Sequence, residues 1–231
     1  MSRADLGKDP EAVASMFDAV ARRYDLVNDL LSLGRTKAWR KKVVKIIKPA
    51  PGMKILDIAA GPGSSSEPLY KAGAEVTALD FSEGMLAQGR KARPYLKFVK
   101  GDAMKLPFGD NEFDVTTISF GLRNTKDYEV ALREALRVTK VGGRMVIVEF
   151  STPTFPPFRK LYMNYLMRTL PKIARKTSSN PVAYEYLAES IRAWPNQEQL
   201  AAKMSANGWS NPTWKNLTGG VVAVHTGIKG A

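Results

Sequence analysis

The residues of this chain best placed to do chemistry are two aspartates, Asp80 and Asp102, and a glycine turn, Gly61-Pro62-Gly63. Each follows a short apolar segment: Ile55, Leu56 and Ile58 lead into the turn, residues 75–79 lead into Asp80, and residues 96–99 lead into Gly101-Asp102. Acids just beyond the carboxyl ends of parallel strands face the crevice where open α/β sheets hold ligands. A glycine turn between strand and helix lets the backbone bend sharply and approach a ligand closely. Asp80 stands where the second strand of such a sheet presents a carboxylate to a ribose. The dinucleotide fingerprint asks for a third glycine three residues after the second, and that place is Ser66. The turn therefore suits an adenosine ligand without a pyrophosphate better than NAD, and S-adenosylmethionine is such a ligand. A Gly-Pro-Gly corner can also be purely structural, so the rest of the chain must decide.

The surrounding pattern supplies the elements that would hold these groups. Ser64, Ser65 or Ser66 is expected to cap the helix after the turn, with Glu67 and Pro68 in its first turn. Ser82 is expected to cap a second helix carrying Met85 and Leu86. A fourth strand over residues 113–120, a helix over 128–139 and a fifth strand over 144–149 after Gly142-Gly143 complete a βα alternation, the signature of a parallel sheet. Upstream, Val13, Met16, Phe17, Val20 and Tyr24 form an amphipathic stripe, and a basic helix over 37–48 ends at Pro49-Ala50-Pro51-Gly52. Downstream, a helix over 197–207 and two strands within 213–228, joined near Gly219-Gly220, predict an antiparallel pair at the end of the sheet.

Composition narrows the class. The 231 residues, 44% of them hydrophobic, suit one α/β domain with some extension. The absence of cysteine excludes disulfides, thiolate metal sites and the cysteine nucleophile used in pyrimidine C5 methylation, and no metal is called for. No apolar run of about 18 residues occurs and the first residues lack an apolar signal region, so a cytoplasmic protein is expected. The net charge of +13 would attract either nucleic acid or an anionic membrane surface. It is concentrated between Arg35 and Lys48 and again over 159–176, where Leu161, Tyr162, Tyr165 and Leu166 lie at helical spacing among Arg159, Lys160, Arg168, Lys172, Arg175 and Lys176. Such a segment lies on a bilayer surface, covers an active site or packs as an ordinary helix.

Taken together, several motifs resemble the C-methyltransferases of menaquinone and ubiquinone biosynthesis. They are Tyr24-Asp25, Leu56-Asp57 through Gly63, Leu79-Asp80 through Leu86, Gly101-Asp102-Ala103 with Leu106-Pro107-Phe108, and Phe120-Gly121-Leu122-Arg123-Asn124. Glu149-Phe150-Ser151, Tyr186-Leu187, Gly219-Gly220 and His225 follow in that family's order, so the resemblance spans residues 14–229, and residues 120–124 are its most specific segment. It implies a class I S-adenosylmethionine-dependent methyltransferase, a Rossmann-like doubly wound sheet with a C-terminal antiparallel strand pair. Residues 1–50 would be a helical extension or lid, and residues 51–231 the methyltransferase domain with a helical insertion at about 151–194. Pro62, Asp80, Asp102, Ala103 and Ser119 are implied as cofactor positions beside Gly61 and Gly63. Asp80 would accept from ribose hydroxyls and Asp102 from the adenine amino group. The family's usual Gly-Gly-Thr-Gly-Asp turn reads Ala60-Gly61-Pro62-Gly63-Ser64 here, which leaves backbone contact in place of a threonine hydroxyl.

The implied reaction is C-methylation of demethylmenaquinol to menaquinol, the last step of menaquinone biosynthesis, with a ubiquinone-pathway quinol as the alternative. A quinol carbon becomes a better nucleophile when its hydroxyl ionises, so the site needs a base or water and a cation. Arg123, after the fourth strand, is the leading candidate for that cation, with a salt bridge to a nearby acid as the competing reading. Asn124, Tyr24, Asp25 and His225 are secondary candidates; a single histidine on a strand is more often packed than catalytic. A polyprenylated quinol and an anionic membrane surface are the expected partners, with peripheral association. Nucleic-acid methylation is disfavoured, because the Asn/Asp-Pro-Pro-aromatic turn of base-amine methyltransferases is replaced by Ser119-Phe120-Gly121-Leu122. A module that binds the cofactor without turnover is disfavoured by the intact pair of strand-end acids.

Overall fold

A computed structural model describes residues 7–8, 34–169 and 181–231. The described chain begins with α1 (Thr36–Ile47), then runs β1 (Lys54–Ile58), α2 (Ser66–Lys71), β2 (Glu75–Asp80), α3 (Glu83–Ala92), β3 (Lys97–Lys100) and β4 (Phe113–Ser119). A 3-10 turn (Leu122–Asn124) leads to α4 (Tyr128–Val138) and β5 (Thr139–Phe150). Then come α5 (Pro156–Asn164), a π-helical turn (Tyr165–Thr169), α6 (Pro181–Ala193), α7 (Gln197–Ala206), β6 (Trp209–Leu217), a second 3-10 turn (Thr218–Gly220) and β7 (Val222–Lys229).

The seven strands form one sheet in the order β3-β2-β1-β4-β5-β7-β6. The first five are parallel, with Ile55 beside both Val76 and Val115, while β7 runs antiparallel to β5 and β6 antiparallel to β7. Strand order reverses between β1 and β4, the switch point at which such sheets open a ligand crevice. The inner strands read as nearly continuous apolar runs because helices cover both faces. Ile55, Val146 and Val148 join the core under α1, where Trp39, Val43 and Ile47 are buried. Leu56, Ile58, Met145 and Ile147 face the opposite way, against Leu132 and Ala135 of α4 and Leu200 and Met204 of α7.

Local chemistry sets the helix starts. Ser82 Oγ accepts from the Met85 amide at 3.0 Å, the expected cap of α3. Asn196 and Gln199 form a capping box at α7, which the sequence reading did not anticipate. The expected serine cap of α2 is corrected: Ser65 stands at the N-cap without a side-chain cap bond, because a buried acid has taken its hydroxyl and that of Ser66. The segment 159–176 is described only as far as Thr169, and there its apolar stripe divides: Tyr162 and Leu166 are buried in the core while Leu161 is exposed. The amphipathic stripe over residues 12–24 lies outside the described residues.

Candidate active site

At the carboxyl edge of β1, β2, β3 and β4 the loops form an open cleft whose lining includes Gly61, Asp80, Asp102, Ala103, Phe120 and Asn124. Its rim is built by hydrogen bonds. Asp80 Oδ2 accepts from the Gly61 amide at 2.7 Å and Oδ1 from the Ser82 amide at 2.8 Å, so one carboxylate ties the β1 loop to the β2 loop. Asp102 Oδ1 accepts from the Met104 amide at 2.8 Å. An ionised carboxylate offers about four lone-pair sites, so Asp102 keeps acceptor capacity toward a ligand beside its bond to Met104. An adenosine fits these groups: acceptors suited to hydroxyls and to an exocyclic amine stand at the ends of neighbouring strands.

A second cleft lies under α1, lined by Trp39, Arg40, Ser64, Ser65 and Ser119 among others, and Ala59 and Phe120 line both clefts. These two shared residues are backbone outliers. Ala59 has φ +52° and Phe120 φ +59°, left-handed conformations that side-chain-bearing residues avoid and that functional sites often retain. Gly121 permits the approach of the two loops, since a Cβ there would lie 2.5 Å from that of Ala59.

Beneath the second cleft, Asp57 is fully buried on β1 and its Oδ2 accepts from the Ser65 and Ser66 hydroxyls at 2.7 and 2.6 Å. Its Oδ1 has no partner. Burial pushes its carboxyl up to about 6, against the opposing pull of the serine hydrogen bonds.

The expected site residues divide. Gly61, Asp80, Asp102, Ala103 and Asn124 line the first cleft and Ser119 lines the second. Pro62 and Gly63 stand behind the cleft lining: the Pro62 carbonyl accepts from Arg93 Nη1 at 3.0 Å, and a Cβ on Gly63 would meet the Phe98 ring at 2.9 Å. That glycine serves close packing of the loop on β3. Tyr24 and Asp25 lie outside the described residues. His225 is a correction. It is buried on β7, its Nε2 is 2.8 Å from the Gln197 carbonyl, its Nδ1 has no partner and it lines neither cleft. Burial holds its pKa below the usual histidine value.

Arg123 forms the salt bridge that the sequence left open as the competing reading. Its Nη1 donates to Glu149 Oε1 at 2.6 Å and to the Phe120 carbonyl at 2.7 Å, and the guanidinium lies 5.2 Å from the centre of the Phe150 ring. Its Nε is buried without a partner. Glu149, 1% exposed, also accepts from the Phe150 amide at 2.9 Å. Burial raises the Glu149 pKa while Arg123 pulls it down. The pair fixes the exits of β4 and β5 together, and Asn124 extends the network by accepting from the Tyr186 hydroxyl at 3.2 Å. Sequence reasoning missed Glu149, Asp57, Trp39 and Arg40 as parts of the site. The first two carried a signal, an acid inside an otherwise apolar strand.

Five parallel strands with the order reversing at β1/β4, an antiparallel pair beyond them and acids at the carboxyl edge define the class I S-adenosylmethionine-dependent methyltransferase fold. At the level of fold the chain is similar to a solved S-adenosylmethionine-dependent methyltransferase from Thermotoga maritima, described as a possible histamine N-methyltransferase. The identity is 21%, the TM-score 0.69, and the match covers 93% of this chain and 99% of that one. The chain belongs to the ubiE/COQ5 methyltransferase family, whose sequence model matches residues 5–229. It is 59% identical to the demethylmenaquinone methyltransferase of Streptomyces avermitilis, over 99% of each chain. It is 58% identical to the enzyme of that name from Mycobacterium tuberculosis, over 99% of this chain and 97% of that one.

Proposed function

We propose that this chain converts demethylmenaquinol to menaquinol by methylating a ring carbon, the last step of menaquinone biosynthesis. One structural observation carries the reading: two strand-end acids, Asp80 and Asp102, open into a cleft that meets a second cleft at Phe120. Relatives 59% and 58% identical that are named demethylmenaquinone methyltransferase support a naphthoquinol substrate over a ubiquinone-pathway ring. S-adenosylmethionine supplies the electrophilic methyl, and the ring carbon that takes it displaces the neutral thioether. Asp80 accepts from the ribose hydroxyls and Asp102 from the adenine amine, with Gly61 and Ala103 completing that cleft's wall, Ser119 meeting the cofactor from the second cleft, and Pro62 and Gly63 setting the loop behind.

The chain's task on the substrate side is to favour the ionised quinol. Glu149 holds Arg123, which lines neither cleft, so we assign Arg123 a positioning and electrostatic role: it fixes the Phe120 carbonyl beside the cleft, and its charge favours the ionised quinol from behind the lining. An arginine stays protonated and therefore stabilises the oxyanion without accepting its proton. Asn124, oriented by Tyr186, supplies a polar contact, and Tyr24 belongs to the N-terminal segment that we read as a lid over residues 1–50. Residues 151–194 are read as an insertion that bounds the substrate side of the methyltransferase domain at 51–231.

Among the described residues no helix is long and apolar enough to cross a membrane. We place the enzyme in the cytoplasm, peripherally bound to the membrane that holds its polyprenylated quinol. The test is an anaerobic assay with purified protein, S-adenosylmethionine and either the reduced or the oxidised demethylnaphthoquinone. Methylation of the reduced form alone supports the reading. Methylation of both at equal rates refutes the role given to the ionised hydroxyl.

A further inference from the structure

The cations of this chain are unevenly used. Lys71, Arg90, Lys140 and Lys203 each pair with a carboxylate. On α1 the pattern is different: Lys37, Lys41, Lys45 and Lys48 follow one another at helical spacing and are exposed, with Arg35 and Lys42 exposed beside them. None of the six forms a salt bridge among the described residues, and no acid occurs between Gly34 and Lys54. Like charges at this spacing repel one another, so the face gains from an anionic partner.

The opposite face of α1 buries Trp39 and Val43 and forms a wall of the second cleft. Trp39 Nε1 donates to Thr218 Oγ1 at 2.9 Å. The same turn seats the start of α5, since the Thr154 amide donates to the Gly219 carbonyl at 3.1 Å and Phe158 packs on Gly219. From α5 and its N-cap, Leu161 and Phe155 stand 68% and 63% exposed. Large apolar side chains so exposed, on an element that shares a turn with a helix bearing an exposed lysine stripe, combine the two attractions of an interfacial surface.

We infer that the basic stripe of α1, with Phe155 and Leu161, seats the chain on an anionic lipid bilayer. This rests on the quinol reading in one respect: a tailed substrate stays in the bilayer, so the enzyme must reach it there. The ammonium groups meet the anionic headgroups, the two apolar side chains enter the acyl boundary, and one helix separates the lipid from the second cleft. A nucleic acid would answer the charge but would leave Phe155 and Leu161 without a counterpart. Within the segment 159–176, Tyr162 and Leu166 are committed to the core, so its share of the docking surface is the outer side of α5 with Leu161, beside the basic face of α1.

The test is sedimentation of the full chain with phosphatidylcholine vesicles, with and without phosphatidylglycerol, in rising salt. Binding is expected only with phosphatidylglycerol and should weaken as salt screens it. Replacing Lys37, Lys41, Lys45 and Lys48 together by glutamine should weaken binding at least about tenfold, given the contribution of each basic residue near an anionic surface. Turnover on vesicle-borne long-tailed quinol should fall with it, while turnover on a short-tailed soluble analogue stays unchanged. Phe155→Ser with Leu161→Ser should likewise weaken binding, with the loss persisting at high salt. Wild-type binding by the lysine variant, or tighter binding of the wild type to duplex DNA or RNA than to the anionic vesicles, would overturn the inference. Absence of turnover on the short-tailed analogue by the wild type would instead count against the quinol reading.

Discussion

Glu149→Gln is the most informative single change at the substrate end of the site. The wild-type carboxylate is buried, accepts from Arg123 Nη1 at 2.6 Å and from the Phe150 amide at 2.9 Å, and has Arg123 as its cation. Glutamine retains one acceptor oxygen but removes the charge and turns an NH₂ toward groups that donate. Arg123 is then left buried and uncompensated. Removing one partner of a buried pair costs about 3–5 kcal/mol, whereas replacing both by apolar side chains is often neutral or stabilising. A domain of this kind is stable by roughly 5–15 kcal/mol, so the variant should still fold at low temperature. Urea unfolding followed by tryptophan fluorescence is the assay, with an unchanged slope as the sign that two-state behaviour persists. Glu149→Gln should lose about 3–5 kcal/mol, and Arg123→Met with Glu149→Met should recover most of it. A loss below about 1 kcal/mol, or a double variant as unstable as the sum of two single variants, would refute the picture of a mutually dependent pair.

Three further outcomes follow from the same geometry. Asp80→Ala should weaken S-adenosylmethionine binding by about 1–3 kcal/mol in calorimetry, because the ribose loses its acceptor; unchanged affinity in a folded variant would take Asp80 out of the site. Arg123→Lys should keep cofactor affinity but lose turnover, since an ammonium cannot reproduce a planar donor held at once by Glu149 and the Phe120 carbonyl. Asp57, raised by burial to about 6, favours its protonated form in the folded protein, so its contribution to stability is fully present below the unfolded value near 3.8 and is lost as pH rises through about 6. The melting temperature of Asp57→Asn should therefore fall less between pH 5 and pH 7 than that of the wild type, by the equivalent of about 1.3 kcal/mol; parallel curves would show that Asp57 titrates normally.

The parallel sheet was legible because its inner strands announce themselves twice, as apolar runs and by the glycine or acid that ends them. Gly61, Asp80 and Asp102 converge for that reason: each follows a strand whose carboxyl edge the topology brings to one crevice. What sequence could not supply was long-range pairing. Arg123 reads as a free cation or as half of a salt bridge until Glu149, 26 residues later, is folded against it. The stripe of Tyr162 and Leu166 reads equally well as lipid-facing or core-facing, because both environments select apolar side chains, and only packing against the sheet decides. Ser65 and Ser66 look like caps until Asp57 claims their hydroxyls. Gly142-Gly143 reads as a turn ahead of a strand, yet β5 already begins at Thr139, beside Phe113, and absorbs the glycines at a register shift.

The central claim is that this cleft, organised by Asp80, methylates a demethylnaphthoquinol. Its most direct test is mass spectrometry of the quinone recovered after purified protein is incubated anaerobically with S-adenosylmethionine bearing a deuterated methyl and with reduced demethylmenaquinone. The account predicts a ring-methylated product carrying the whole labelled methyl, formed by the wild type and sharply diminished at the same cofactor concentration with Asp80→Ala. Label on oxygen, no labelled quinone, or equal labelling by the variant would contradict it.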